Sequence, residues 1–403
     1  MTVPLAPARS AVQVAASEVR PSASGMPVVG IVGGGQLSRM TAQAGVTLGL
    51  SVRVLTRGVD DSAAQVVHGP VVGDELSYDD VRAFARGCDV VTFDHEHVPP
   101  DVLARLEDDG VTIRPGASAL LHAQDKLVMR RRLRELGIAV PDFAAVESAD
   151  DVTAFASAHA WPVVLKSRRG GYDGKGVWVL RGPDDVADAL TAAGPAYVEE
   201  HVALTRELAA VVARSPSGQG VAYPVVETVQ TGGVCTEVVA PAPGLSEDRA
   251  LEASGLALRV AQELGVTGVL AVELFETEAG LLVNELAMRP HNSAHWTIEG
   301  ARTSQFEQHL RAVLDLPLGS PELTAPAIVM VNLLGPERPD APTLGSGLPH
   351  VFARDPGIRV HLYGKTLRPG RKVGHVTAVG SDVGELRERA RHAAEYLRGD
   401  IDE

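Results

Sequence analysis

Short apolar runs alternate with amphipathic stretches along the first part of the chain. PVVGIV (27–32) predicts a buried strand, LSRMTAQAGVTLG (37–49) a helix, and LSVRVLT (50–56) a second strand. The apolar run CDVVTFD (88–94) predicts a further strand. Strands and helices that alternate in this order predict a parallel sheet with helices on its faces, which is a Rossmann-like α/β unit.

The pattern changes near Ser118. SALLHAQDKLVMRRRLRELG (118–137) predicts one strongly basic helix that ends at Gly137. The apolar runs that follow are short and bounded by turn residues, which is typical of antiparallel hairpins. They are WPVVLKS (161–167), GVWVL (176–180), AYVEEHV (196–202) and RELAAVVARS (206–215). Beyond Leu318, AIVMVNLLG (327–335) predicts a strand and GELRERARHAAEYLRG (384–399) a final helix.

These changes of pattern divide the chain into four parts. We expect a disordered tail over 1–25, an N-terminal domain over 26–120, a central domain over 121–318 and a small β-rich C-terminal domain over 319–403. The tail has neither the order of basic and apolar residues of a signal peptide nor a run long enough to span a bilayer. The predicted class is therefore a multidomain protein of mixed α/β and α+β type.

Composition narrows the possible functions. The chain has 403 residues, of which 45% are hydrophobic, so it can bury a large core. Its formal net charge of −14 argues against broad binding to nucleic acid or to an anionic membrane. An anionic substrate must then meet a local basic cluster. Cys88 and Cys235 have no metal-ligand spacing and form no disulfide framework, which predicts a cytoplasmic location.

The glycine-rich loop after the first strand nearly matches a dinucleotide-binding fingerprint. Gly33 and Gly35 have the required spacing, but the last position is Ser38. The second strand ends in Arg57 instead of the acidic residue that accepts from a ribose hydroxyl, so NADP is the one nicotinamide cofactor left open. Two interpretations remain, which are a single phosphate at the helix N-terminus and a tight packing turn that needs small residues.

A longer glycine-rich loop lies in VVLKSRRGGYDGKGVWVL (163–180). Lys166 ends one predicted strand, and the loop before the next strand adds Arg168, Arg169, Lys175 and several glycines. Backbone amides left accessible by glycine, together with cations, predict a lid over a polyphosphate. The loop is not a Walker A motif, because no Ser or Thr follows the lysine and a strand comes next. The alternative is a flexible hairpin with solvated charges.

Two acidic residues flank a predicted turn in GVLAVELFETEAGLLVNELAMRPHNSAHWT (268–297). In a hairpin that turns at ETEAG, Glu273 and Glu285 lie opposite each other on one face. Two carboxylates held together in this way, with phosphate oxygens completing the shell, are suited to magnesium. The alternative is that both side chains face solvent. Arg289 and His291 follow at once and are candidate ligands of an oxyanion.

Together these segments resemble the ATP-grasp superfamily and, within it, the N5-carboxyaminoimidazole ribonucleotide synthetase family. The resemblance runs from about Val28 to Thr377. Its motifs are GGGQL (33–37), TFDHEHV (92–98), DKLVMRRRL (125–133), KSRRGGYDGKG (166–176), NELAMRPHNSAHWT (284–297) and YGKTLRPGRKVGH (363–375). It implies an ATP-grasp fold with an N-terminal pre-ATP-grasp domain and a C-terminal domain that closes the acceptor site.

The resemblance also implies an ATP site between two β-rich lobes. The hinge 199–202 would meet adenine, Glu207 would accept from the ribose hydroxyls, and Glu273 with Glu285 would hold Mg²⁺ or Mn²⁺. The implied ATP-binding residues are Lys126, Lys166, Gly171, Tyr172, Asp173, Gly174, Lys175, Gly176, Val177, Glu199, Glu200, His201, Val202, Glu207, Gln230, Asn284 and Glu285.

The implied reaction has two steps and three substrates, ATP, bicarbonate and 5-aminoimidazole ribonucleotide. Bicarbonate attacks the γ-phosphorus to give carboxyphosphate, and the ribonucleotide amine then captures the released carbon dioxide. Candidates for the catalytic pocket are Tyr172, Asp173, Arg289, His291 and Lys365. We expect the acceptor ribonucleotide to contact Gly34, Gly35, Gln36, Leu37, Lys365, Arg371 and Lys372. The alternative for the last two is a solvated basic turn.

Three positions depart from the family pattern. Gln230 stands where a histidine is usual, Lys126 where an arginine is usual, and Ala294 where a glycine is common. Alternatives to this family are a formate-using glycinamide ribonucleotide transformylase or another ATP-grasp carboxylate-amine ligase, a non-catalytic nucleotide-binding regulator, and an NADP oxidoreductase. The family pattern also suggests a homodimer through the N-terminal and central domains.

Overall fold

The N-terminal region forms a parallel sheet. The computed structural model describes residues 25–171, 174–338 and 342–402, so the predicted tail lies almost wholly outside them. The strands are β1 (Val28–Val32), β2 (Ser51–Thr56), β3 (Val71–Val72) and β4 (Val90–Phe93), in the order β3-β2-β1-β4. The helices are α1 (Gln36–Thr47), α2 (Tyr78–Ala85) and α3 (Pro100–Asp108). All three strand pairs are parallel, which confirms the predicted α/β unit.

A small antiparallel sheet follows. Its strands are β5 (Phe143–Val146), β6 (Val163–Ser167), β7 (Val177–Leu180) and β8 (Ala196–Glu200), in the order β5-β8-β6-β7. The helices α6 (Ala149–His159) and α7 (Val186–Ala193) pack on it and share its own apolar core. The predicted hairpins are confirmed here, since β6 and β7 pair antiparallel with Lys166 opposite Val177.

A large sheet extends through the rest of the chain. Its strands are β9 (Arg206–Arg214), β10 (Gly220–Ala222), β11 (Val226–Thr231), β12 (Val234–Ala240), β13 (Gly268–Thr277), β14 (Gly280–Ala287), β15 (Ala327–Leu334), β16 (Arg359–Leu362) and β17 (Lys372–Gly380). The order is β14-β13-β9-β11-β12-β15-β17-β16, with β10 beside β9. The helices in this part of the chain are α8 (Glu247–Glu263), α9 (Thr297–Gly300), α10 (Gln305–Val313), α11 (Leu348–Arg354) and α12 (Val383–Arg398). The sheet thus continues across residue 318 through the β12–β15 pair.

The single basic helix predicted over 118–137 is wrong. The segment forms two helices, α4 (Ala117–Gln124) and α5 (Lys126–Glu135), which are separated at Asp125. Asp125 has an extended backbone, and its carboxylate accepts from the amides of Leu127 and Val128 as the N-cap of α5. The break turns α5 so that Lys126 and Arg130, one turn apart, face the ends of the other two sheets.

Two further sequence expectations bear on the whole chain. Cys88 and Cys235 form no disulfide, as expected. Across the described ranges, each helix is too short or too polar to cross a membrane.

Candidate active site

The two acidic residues predicted to meet across a hairpin do so. Glu273 on β13 pairs directly with Glu285 on β14, at a register shift between Glu273 and Leu274. Their side chains are 29% and 42% exposed, so a cation can reach them from the cleft. Burial and the charge of Glu285 raise the pKa of Glu273 to about 7. Two carboxyl groups from adjacent strands therefore lie side by side and repel each other when both are ionised.

Two lysines flank this acidic pair. Lys126, the first residue of α5, makes an ion pair with Glu285. Burial opposes ionisation of Glu285, but Lys126 holds its pKa below the usual range. Lys166, at the end of β6, contacts Glu199 and places its Nζ 3.2 Å from Oδ1 of Asn284. The structure thus brings together both lysines, Asn284 and both carboxylates, as the sequence predicted.

A buried arginine that the sequence analysis missed completes this group. Arg130 is fully buried and donates through Nε and Nη2 to Oε2 of Glu199, at 3.1 and 2.9 Å. Its Nη1 donates to the carbonyl oxygens of Val283 and Asn284 at 3.0 and 2.7 Å. The spacing of four residues from Lys126 was the available signal, but Arg130 stands in a run of three arginines on a helix that the sequence predicted only to be strongly basic.

The hinge after β8 differs from the expectation in one respect. Glu199 turns its carboxylate into the protein, where Lys166 and Arg130 hold its pKa low against the effect of burial. The carboxylate of Glu199 is thus engaged within the protein, and the segment 199–202 can offer its backbone groups and its other side chains to a nucleotide. Glu200 Oε1 accepts from the amide of Asp142 at 3.0 Å.

The carboxylate predicted to meet ribose lies next to Gln230. Burial raises the pKa of Glu207, and a hydrogen bond with Gln230 opposes that rise. Glu207 lies opposite Phe275 on β13 and Thr228 on β11, so it faces the same part of the sheet as Glu273. The replacement of histidine by glutamine at position 230 therefore keeps a hydrogen-bonding partner beside this carboxylate.

Two arginines of the predicted phosphate lid, the loop between β6 and β7, bind a carboxylate of the protein. Arg168 and Arg169 both bind the buried carboxylate of Asp125, at 2.9 and 3.2 Å. They anchor the start of the loop to α5, and their role in binding a polyphosphate stays a prediction. Tyr172 and Asp173 lie outside the described residues.

The glycines of the same loop have a positive backbone φ. Gly171 has φ +78°, and a Cβ there would lie 2.5 Å from the carbonyl oxygen of Lys175. Gly174 and Gly176 have φ +76° and +77°. A side chain at Gly171 would therefore disturb the loop.

Arg289 and His291 follow β14 and point to two different carboxylates. Arg289 Nε donates to Oε2 of Glu96 at 2.8 Å, which joins this segment to the loop after β4. His291 Nε2 lies 3.3 Å from Oε1 of Glu273. Burial and the charges of Arg289 and Lys372 lower the pKa of His291 to about 3, so this ring is a neutral donor beside the acidic pair.

The first glycine-rich loop packs closely against its neighbours. Asp94, at the end of β4, accepts from the amide of Gly35 at 2.6 Å. A Cβ at Gly33 would lie 1.9 Å from Oδ1 of Asp94 and one at Gly34 2.1 Å from Oγ1 of Thr56. The close packing of Gly33 and Gly34 against neighbouring side chains favours the packing-turn interpretation, and a phosphate at the helix N-terminus stays a prediction. Arg57, directly after β2, pairs with Glu75 at 3.1 Å.

The start of α1 instead meets the C-terminal region. Gln36 accepts from Lys365, and Ser62 Oγ donates to the carbonyl oxygen of Tyr363 at 2.5 Å. Lys372 lies near enough to act electrostatically on Glu273 and His291. Gln36 and Lys365 are thus brought together, and Lys372 lies near the acidic pair. Arg371 donates to its own loop, at the carbonyl oxygen of Thr366.

Comparison with known proteins decides the family. An ATP-grasp domain matches residues 131–306, a ribonucleotide synthetase preATP-grasp domain 26–124, and a phosphoribosylaminoimidazole carboxylase C-terminal domain 328–389. The N5-carboxyaminoimidazole ribonucleotide synthase of Mycobacterium tuberculosis is 56% identical over 379 residues, which are 92% of this chain and 88% of that protein. The chain belongs to the N5-carboxyaminoimidazole ribonucleotide synthase family. It is an ATP-grasp ligase, as the sequence predicted.

Solved structures support the same N5-carboxyaminoimidazole ribonucleotide synthase fold. The synthetase of Thermus thermophilus is 39% identical with a TM-score of 0.83, over 93% of this chain and 99% of that one. The Aspergillus clavatus enzyme, in complex with ADP and 5-aminoimidazole ribonucleotide, is 32% identical with a TM-score of 0.85, over the same shares. The predicted ATP-grasp fold with its flanking domains is thus confirmed, while the boundaries at 120 and 318 stay predictions.

The acidic pair offers two protein ligands to a metal ion. Within the described ranges, no group of three or more His, Cys, Asp or Glu side chains is arranged to hold a metal ion. Glu273 and Glu285 supply two hard oxygen ligands, and Mg²⁺ commonly binds through one or two carboxylates with substrate phosphates. The chemistry of the pair thus fits a cation that arrives with a nucleotide.

Proposed function

We propose that this chain carboxylates 5-aminoimidazole ribonucleotide to N5-carboxyaminoimidazole ribonucleotide, with ATP and bicarbonate as co-substrates, in the synthesis of purines. The observation that carries the proposal is the paired Glu273 and Glu285 flanked by Lys126 and Lys166, in a chain of this family. Carboxylates with two cations around one cleft are suited to a polyphosphate and its metal.

In the first step an oxygen of bicarbonate attacks the γ-phosphorus of ATP, and the bond to the β-phosphate oxygen breaks to leave ADP. Lys126 and Lys166 would hold the phosphates in line, and Asn284 would orient them from β14. When bound to Glu273 and Glu285, Mg²⁺ or Mn²⁺ supplies charge neutralisation of the transferred group.

In the second step carboxyphosphate releases carbon dioxide and phosphate, and the ribonucleotide amine attacks the carbon dioxide and loses a proton. His291 lies 3.3 Å from Glu273, and Arg289, which pairs with Glu96, follows the same strand; both would orient the carboxyl group. Lys365 and Gln36 would hold the acceptor ribonucleotide. Its other proposed contacts are Gly35, Leu37, Arg371 and Lys372. Tyr172 and Asp173 are proposed members of the same pocket only because they lie in the motif KSRRGGYDGKG (166–176).

The homodimer and the cytoplasmic location also remain proposals. The dimer derives from the family pattern, and the location from two cysteines that form no disulfide.

The test measures ADP release with ATP and Mg²⁺, with bicarbonate present or omitted and with 5-aminoimidazole ribonucleotide present or omitted. We expect ADP release to require bicarbonate and to rise to its full rate only with the ribonucleotide. Formate with glycinamide ribonucleotide serves as the matched alternative substrate pair. Equal ADP release with that pair would overturn the assignment.

A further inference from the structure

The buried guanidinium of Arg130 joins two parts of the proposed ATP site that lie on different sheets. Glu199 is at the end of β8 in the small sheet, and Asn284 is on β14 in the large sheet. Arg130 reaches both from α5, with two donors on the carboxylate and one on the backbone carbonyl oxygens of Val283 and Asn284. It is thus the common support of the hinge and of the strand that carries the proposed metal ligand Glu285.

These contacts form a closed ring. Glu199 binds Arg130 through Oε2 and Lys166 through Oε1, and Lys166 in turn lies 3.2 Å from Oδ1 of Asn284. Asn284 returns to Arg130 through its carbonyl oxygen at 2.7 Å. Each member therefore fixes its neighbour, and Lys166 is the member that the site directs towards phosphate.

The charges of the ring have a consequence for phosphate binding. One carboxylate faces two cations, so the three side chains together keep one positive charge in a low-dielectric place. Without Arg130, the charge of Glu199 would be balanced by Lys166 only, and the pair would have no net charge. The ammonium group would then attract a phosphate less strongly.

We infer that Arg130 is a positioning residue for the nucleotide, which aligns the hinge with β14 and leaves Lys166 available to the phosphates of ATP. This inference rests on the proposed ATP site. Arg130 itself has no exposed surface, so it cannot contact the nucleotide. A lysine can replace its charge, but a lysine cannot supply the planar fork that reaches Glu199 and two carbonyl oxygens at once.

The experiment measures the Kd for ATP by calorimetry, without bicarbonate or acceptor, in Arg130→Lys and Arg130→Met. Arg132→Lys and Arg132→Met on the same helix are the matched controls, because the Arg132 side chain is 39% exposed and pairs with Glu135 of its own helix. We expect Arg130→Met to raise the Kd by about tenfold or more, Arg130→Lys by a smaller factor, and the controls to stay within about twofold.

Steady-state constants separate positioning from a general loss of structure. We expect the KM for ATP of Arg130→Lys to rise while the KM for the acceptor ribonucleotide changes by less than about twofold. If Arg130→Met does not fold, Arg130→Lys decides the question. An unchanged Kd for ATP in folded Arg130→Lys, or an equal rise in both KM values, overturns the inference alone. Failure of the wild-type chain to bind ATP overturns the proposed function and the inference together.

Discussion

At the scale of single residues, Gln36 and Lys365 are both proposed to contact the acceptor ribonucleotide. The side-chain oxygen of Gln36 accepts from Lys365, which belongs to the C-terminal region. We predict that Gln36→Ala raises the KM for 5-aminoimidazole ribonucleotide by about tenfold, because a charge-assisted hydrogen bond that orients Lys365 is lost. The KM for ATP should stay unchanged. Steady-state kinetics with each substrate varied in turn provide the measurement.

The exposed Gln43 on the same helix supplies the control for this variant. Gln43→Ala should leave both KM values as in the wild type. A Gln36→Ala enzyme with a raised KM for ATP and an unchanged KM for the ribonucleotide would show that the glycine-rich loop serves the nucleotide triphosphate instead.

The acidic pair leads to a prediction about the metal. Glu273→Gln and Glu285→Gln should each raise the Mg²⁺ concentration for half-maximal activity by about tenfold or more, since each removes one hard oxygen charge. Glu273→Gln should also raise the Tm without metal, because it ends the repulsion between two facing carboxylates. Titration of activity with Mg²⁺ and thermal unfolding in a chelator provide the two measurements. Glu278→Gln, at the exposed turn of the same hairpin, should change neither quantity.

At the scale of elements, Asp125 determines where one helix ends and the next begins. It caps α5 and binds Arg168 and Arg169 at the start of the lid loop. We predict that Asp125→Ala lowers the free energy of unfolding by about 2–4 kcal/mol, since a cap and hydrogen bonds to charged groups are lost together. Urea unfolding followed by circular dichroism provides the measurement.

A simple N-cap provides the comparison. Asp382 caps α12 by accepting from the amide of Glu385 at 2.9 Å. Asp382→Ala should cost about 1 kcal/mol, the usual value for a cap. If Asp125→Ala costs no more than Asp382→Ala, the contacts with the two arginines contribute nothing to stability.

The sequence predicts local pairing within a hairpin better than it predicts a break between two helices or contacts between residues far apart in the chain. The Glu273–Glu285 pair was predictable because a short turn sets the register of a hairpin. The break at Asp125 was not, because the apolar spacing continues through it. The cap on α5 stabilises the break together with contacts to Arg168 and Arg169, which are distant in sequence. Arg130 was missed for the same reason, since its partners come from two strands that lie 69 and 154 residues further along the chain.

At the scale of the whole molecule, a buried histidine joins the N-terminal and central regions. His309 on α10 accepts the amide N–H of Val269 at Nδ1, at 3.1 Å, and its Nε2 lies 2.8 Å from Oγ1 of Thr92. Protonation would place a second N–H against the amide of Val269. Burial accordingly lowers the pKa of His309 to about 4.

This histidine predicts a loss of stability in acid. The unfolded chain takes up a proton near pH 6.5, but the folded protein does so only near pH 4, so the contribution of His309 is complete above pH 6.5 and decreases as the pH falls to 4. The shift corresponds to about 3 kcal/mol. In urea titrations at several pH values, His309→Asn should show a shallower decrease over this range than the wild type. The exposed His68→Asn should keep the wild-type slope, and an equal slope for His309→Asn would contradict the assignment.

The continuous large sheet gives the C-terminal region a protective role. β15 covers the backbone of β12 from Glu237 to Ala240, and α12 adds the ion pairs of Arg387 and Arg391 with Glu237. A chain shortened to residue 318 would leave that edge of the catalytic sheet open to strands of other molecules. The segment that carries Lys365 thus also shields the sheet from edge-to-edge association, so loss of this segment is expected to promote aggregation as well as to remove the proposed contact with the acceptor.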